Sequence, residues 1–368
     1  MIDFRYHLVS LISVFLALAV GIVLGAGPLK ETIGDTLTGQ VSQLREEKDA
    51  LRADLDLAEQ RLAESTSYLE AVSGTLLDGA LAERRIGLVL LDEVPASALE
   101  AIEEALARAG ASVPTTVRLT ERWTSPEDQV FRSALAARLA EYLEPPVEQS
   151  AGVHEVLAAA LAQAIAGKDP ARPTARSANA QILGDLLTAE DGLVEAELED
   201  DGPVDAVVVL SWPEPAPEPA ADGEAPAEVA SPDEAVLRAQ AAVVLAAQQR
   251  SEGAILAAGE YREEGLVALV RGDEELAERL STVTGADEVA GRLDLVLGLG
   301  ARIGLQVGHY GFDAGATAPA APRVELPPVD RTPAAVPEDG DSRDEDGDPG
   351  DGEQGGEADE DGSEDGQG

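Results

Sequence analysis

The chain has 368 residues, 44% hydrophobic but only 3% aromatic, so a sizeable core is available and must be built from aliphatic and alanine side chains. Lys and Arg number 26 against 71 Asp and Glu, a formal net charge of -45 that excludes nucleic acid, whose phosphates need basic neutralisation. The absence of Cys removes disulfides, thiolate metal sites and cysteine nucleophiles, and with 3 His and a single Met the soft ligands for Cu(I) are almost missing.

The first element is apolar. Leu8 to Leu29 runs about 22 residues without a charge, enough for a helix to cross a hydrocarbon core of roughly 30 Å. The run is longer than the apolar region of a cleaved signal peptide and ends in Gly25-Ala26-Gly27-Pro28 without an A-x-A-like site, so residues 1–30 read as an uncleaved membrane anchor. The α-amino group, Arg5 and His7 outweigh Asp3 on the near flank, which places the N-terminus in the cytoplasm and the remaining chain outside it. Ala17, Gly21 and Gly25 fall four residues apart, the spacing at which two membrane helices approach closely, although glycine is common in such helices anyway.

Residues 31–83 carry heptads. Val41, Lys48, Leu55, Leu62, Leu69 and Leu76 are spaced by seven, and Leu37, Leu44, Leu51, Ala58, Ser65 and Val72 form the offset set. These are the a and d positions of a parallel coiled coil, with Leu44, Lys48, Leu51, Leu55, Leu62 and Leu69 as its seam. A lysine at one a position lowers stability and favours a low oligomer, here a parallel homodimer. The alternative is a single amphipathic helix folded back on its own domain. Gly27, Pro28 and Gly34 are expected to interrupt the helix between membrane and coil.

Residues 84–315 alternate strand and helix. Arg85–Leu91 and Val113–Leu119 read as strands around a helix over Ala96–Ala109 that Gly110 ends. Residues 126–166 are helical with a break at Pro145 and Pro146; 168–177 is a loop and 179–187 a helix. Asp205–Leu210 is a strong central strand, followed by a disordered acidic Pro/Ala insertion at about 213–233. Glu234–Gln249 is a helix, and Gly253–Ala257 and Leu266–Val270 read as strands. The fold class is therefore α/β: an open, mostly parallel sheet with helices on both faces. Residues 316–368 read as a disordered acidic tail, with fifteen acidic residues against Arg343 from Glu338 onward.

Catalytic and cofactor motifs are weak. Gly298, Gly300 and Gly304 imitate a dinucleotide fingerprint, but their neighbours keep helical spacing and no acid follows about 20 residues on. His154 reads as a packing residue and His309 as part of a glycine-flanked turn. Ser281 to Gly285 reads as a polar loop ahead of a helix, with anion binding as the rarer use. The chain contains no G-x-S-x-G, P-loop or H-E-x-x-H, so neither enzyme activity nor a cofactor is expected.

Several of these stretches together resemble the actinobacterial MctB family, which includes SteB-like division proteins. The anchor carries R-x-H-x-x-S-L as Arg5, His7, Ser10 and Leu11. RIGLVLLDE follows the heptads, and near the C-terminal end come Ser281 and Thr282, Gly291 and Arg292, and the G-x-Y-G of Gly308, Tyr310 and Gly311. The resemblance covers residues 1–315 apart from the acidic insertion. It implies a membrane-anchored envelope protein acting in copper transport and homeostasis, and at division alongside a SteA-like partner. The residues themselves favour a dimeric scaffold without direct copper chemistry.

Overall fold

The computed structural model describes residues 4–26, 28–189, 192–196, 198, 202–212 and 233–333. The expected insertion and most of the expected tail lie outside the described residues. Two helices lead the chain: α1 (Phe4–Ala26) and α2 (Pro28–Leu77). The apolar side chains of α1 point outward all round, and Phe4–Gly25 is long and apolar enough to cross a membrane. α1 ends at Ala26 and α2 starts at Pro28; the expected interruption at Gly27 lies outside the described residues. Gly34 does not interrupt α2, a correction: one glycine costs only about 1 kcal/mol in a helix, which 50 consecutive helical residues absorb. At 1.5 Å per residue α2 spans about 75 Å.

The body follows in the order β1 (Arg85–Leu90), α3 (Ala96–Arg108), β2 (Ser112–Leu119), α4 (Gln129–Leu139), α5 (Val153–Ala166), β3 (Lys168–Asp169), β4 (Arg172–Arg176), α6 (Ala178–Leu187) and β5 (Val194–Ala196). It continues with β6 (Ala206–Ser211), α7 (Glu234–Arg250), β7 (Ala254–Ala258), α8 (Leu266–Gly272), α9 (Glu274–Arg279), β8 (Ser281–Val283), α10 (Val289–Ile303) and β9 (His309–Tyr310). Seven strands make one sheet in the order β5-β2-β1-β6-β7-β8-β9, parallel throughout except where β5 runs antiparallel to β2.

Both faces of that sheet are covered, which is why its central strands read as unbroken apolar runs. Ile86, Leu88, Leu90, Val208, Leu210 and Ile255 pack on one side with α3, α10 and the end of α2. Val89, Val207, Val209 and Leu256 pack on the other, where α5 lies among α4, α6 and α7. Val156–Ala166 of α5 is buried throughout, and its six alanines let neighbouring backbones come close. Leu77, Ala80 and Leu81 lie in the core, and Leu69 and Val289 pack against the same cluster. The lower end of α2 is thus rooted in the body, and Leu69 belongs to that packing rather than to a free seam.

Four further expectations need correction. Residues 168–177 form a hairpin, with Lys168 paired to Arg176. Leu266–Val270 is helix α8, because Leu266, Val267 and Val270 bury one helical face after Gly265 at the N-cap. Ser281–Val283 and His309–Tyr310 are buried strands rather than loop and turn, their hydroxyl and imidazole groups hydrogen-bonded internally. Residues 316–333 are not a free tail but a strap along the body. Ala321 N–H donates to Asp294 at 2.8 Å, Arg323 donates to the carbonyls of Leu76 and Asp78, and Arg331 pairs with Asp205 at 2.9 Å.

Candidate functional site

The sheet reverses its winding between β1 and β6. From β1 the chain steps to β2 on one side, and β6 through β9 build out the other. In open α/β sheets the crevice outside the strand C-termini at such a point is where ligands bind. A cleft of about 1190 Å³ opens there. Asp92, the residue after Leu91, holds its two sides together: its carboxylate accepts from Trp212 N–H at 2.8 Å, Ser211 Oγ at 3.1 Å and Gln240 Nε2 at 3.4 Å. The Trp212 ring rests on Gly259, where a Cβ would come within 2.6 Å of the indole. Glu93, Glu121, Glu260 and Asp287 line the cleft from exposed positions, with Arg118 half-buried among them. Sequence reasoning missed this site. Its one signal is an acid directly after an apolar strand.

The first βα turn does not suit a nucleotide. It reads Asp92-Glu93-Val94-Pro95, without glycine, and Pro95 at the α3 N-cap has no N–H to offer a phosphate. Gly298 and Gly300 lie inside α10, where Gly298 lets the helix close on Ile255 and Tyr310. They form no phosphate loop.

The motif residues near the C-terminal end do come together, at the β8–β9 edge, as structural parts. Arg271 Nε donates to Thr282 Oγ1 at 2.9 Å, Thr282 bonds His309 Nδ1 at 3.0 Å, and His309 Nε2 reaches the Ala277 carbonyl at 3.2 Å. The carbonyl requires a proton on Nε2, which leaves Nδ1 to accept from Thr282. Burial, and then the Arg271 charge, hold the imidazole below its ordinary pKa, so it stays neutral. Ser281 Oγ accepts from Gly308 N–H at 3.2 Å. A Cβ at Gly308 would strike the Tyr310 ring, and one at Gly311, where φ is 133°, would strike Thr284. Arg292 donates to the Asp287 carbonyl. Arg5, His7 and Ser10 lie in the first turns of α1, exposed and apart from this edge.

Gly291 is the most constrained of the set. A Cβ there would lie 1.9 Å from the Gly285 carbonyl oxygen, a backbone atom that cannot swing aside. Gly291→Ala is expected to destabilise the body by about 2–3 kcal/mol through overpacking, read as a lower urea midpoint at unchanged slope. An unchanged midpoint would show that α10 shifts freely.

A second polar cluster lies at the opposite ends of the strands. Asp205 has a fully buried side chain that receives Lys168 Nζ at 2.9 Å, Arg331 Nη2 at 2.9 Å and the Arg85 N–H at 2.9 Å. Beside it Arg84 pairs with Glu252 at 3.2 Å. Every charged group named here has an ion-pair partner, so the cluster ties β1, β6, the hairpin and the strap together. His154 Nδ1 and the Trp123 indole N–H are buried without a partner among the described residues, and burial followed by the Arg132 charge lowers the His154 pKa. No group of three or more His, Asp or Glu placed to hold a metal occurs among the described residues.

A family model described as copper transport outer membrane protein, MctB, matches residues 1–321. The chain belongs to that family. The copper transporter MctB of Mycobacterium tuberculosis is 27% identical over 323 residues, covering 86% of this chain and 98% of its own. The protein of that name from Mycobacterium bovis gives the same figures. The one from Mycobacterium leprae is 24% identical over 334 residues, 88% of this chain and 100% of its own. The match takes in the apolar helix, the long helix, the body and the first residues of the strap.

Proposed function

We propose that this chain is a single-pass envelope protein that serves copper export and homeostasis as a non-enzymatic, dimeric scaffold, its α/β body held outside the cytoplasm. The copper role rests on the family and on the names of its relatives. The observation that carries the scaffold is α2, one continuous helix that begins two residues after the membrane-length helix and ends in the core of the body. On its free length Leu44, Leu51, Leu55 and Leu62 are all more than half exposed. A second copy entering from the same side of the membrane would cover that stripe in parallel, with Ala17, Gly21 and Gly25 allowing the membrane helices to follow. A SteA-like partner is the further member that the family resemblance suggests.

One membrane helix does not line a pore alone, and the chain offers neither Cys nor an internal Met to Cu(I). Copper movement in this reading belongs to the assembly. Deleting the gene should raise cellular copper and copper sensitivity. The full chain should restore both, and a chain lacking residues 1–27 should not. Protease added to intact cells should remove the body. Full rescue by the anchorless chain, or a protected body, would sink the proposal.

A further inference from the structure

The carboxylates of the switch-point cleft form a row. Glu121 follows β2, Glu93 follows β1, Glu260 follows β7 and Asp287 follows β8, so they sit on the C-terminal ends of strands in the sheet order β2-β1-β6-β7-β8. Adjacent strands are about 4.8 Å apart, which spreads the row over roughly 19 Å. None of these four side chains makes a hydrogen bond or ion pair among the described residues. Midway, after β6, stands Trp212, half-buried with its ring against Gly259.

A concave, low-dielectric wall bearing one sign of charge focuses the field and concentrates counter-ions. Four exposed carboxylates outnumber the half-buried Arg118 beside them, so the cleft carries a net negative charge that favours a cationic occupant. A phosphate-bearing ligand is disfavoured by Asp92, Glu93 and Pro95 at the first turn, and no cluster is built for a metal ion. The indole offers a cation the face of its ring. We infer that the cleft binds a linear organic polycation of the alkyl-polyamine class, its separated ammonium groups matched to carboxylates on successive strand ends and its methylenes lying across Trp212.

The chain has two Trp, and both line the cleft, so its intrinsic fluorescence reports occupancy directly. The test is a titration of the full chain in detergent with spermidine, with ATP and Mg²⁺ at matched ionic strength as comparisons. Spermidine should give a saturable fluorescence change, and the comparisons should not. The triple variant Glu93→Gln, Glu260→Gln, Asp287→Asn should bind at least tenfold more weakly. These side chains are exposed, so folding should be unaffected, which an unchanged melting curve verifies. A chain truncated after residue 333 should bind like the full chain. The inference is overturned if binding disappears with the tail but survives the triple variant, if ATP saturates the site at lower concentration, or if spermidine gives no saturable signal.

Discussion

Asp205→Ala should lower the melting temperature of the protein by about 6–12 °C. The carboxylate is wholly buried and joins Lys168, Arg331 and the Arg85 N–H. Removing one partner of a buried ion cluster typically costs 3–5 kcal/mol. The low end applies, because the two surviving cations are about 30% exposed and recover part of their hydration. For a body of this size about 3 kcal/mol corresponds to the shift stated. Asp205→Asn should do little better, since its amide N–H groups would face three donors. The effect carries a pH signature. Burial by itself raises the Asp205 pKa, but Lys168, the Arg85 N–H and Arg331 together outweigh it, and the net shift is downward from 3.8. A depressed folded pKa stabilises the protein above the unfolded value, and that stabilisation is lost as pH falls through the folded one. The gap between wild type and variant should therefore be full at neutral pH and shrink below about pH 4. Equal melting at pH 7 would refute the cluster's role. Because Arg331 anchors the strap, the variant should also expose residues 316–333 to protease.

The physical reason some elements were legible in the sequence, and others not, differs from case to case. β1, β6 and β7 are buried on both faces, so they stand out as continuous apolar runs between turn residues. The membrane-length helix is legible for the same reason, and α3 by its helical spacing, which puts Ala98, Ile102, Ala105 and Leu106 on one buried face. β8 was hidden because its two hydroxyl residues, Ser281 and Thr282, read as a polar loop. Only the tertiary fold supplies Gly308, His309 and Arg271 as their partners. α8 misled in the other direction, since a short apolar run has no period long enough to separate helix from strand. The strap was hidden by composition: Pro and Ala suggest a free segment, and its attachment depends on three well-separated side chains, Asp294, Arg323 and Arg331. The family motif residues were found, but their role was not. Gly291, Gly308 and Gly311 are fixed by close approach of backbone and ring, which no spacing reveals. The cleft escaped notice because its acids are scattered over four strand ends that become neighbours only in the sheet.

Lys48→Leu should tighten dimerisation and raise the melting temperature of the long helix. On the free length of α2 the apolar side chains of Leu44, Leu51 and Leu55 surround Lys48 and stand exposed in the single chain. In a parallel pair the two Lys48 ammonium groups would meet at an a position and extend outward to stay hydrated, so the seam gains little there. Leucine would fill the layer instead. Each buried leucine contributes about 1.5–3 kcal/mol relative to exposure. Two per dimer would tighten association by roughly 10²–10⁴-fold at about 1.4 kcal/mol per tenfold. Strict preference for two strands should loosen at the same time, because the lysine layer is what disfavours larger assemblies. Sedimentation equilibrium of the chain lacking residues 1–27, with and without the substitution, measures both. The body ends the seam at Leu69, which packs against its own domain, so the gain must come from the stretch between Leu37 and Leu62. Should both chains stay monomeric at high concentration, the leucine stripe serves some contact other than self-pairing, and the copper role of the family must be sought in an assembly built on the body alone.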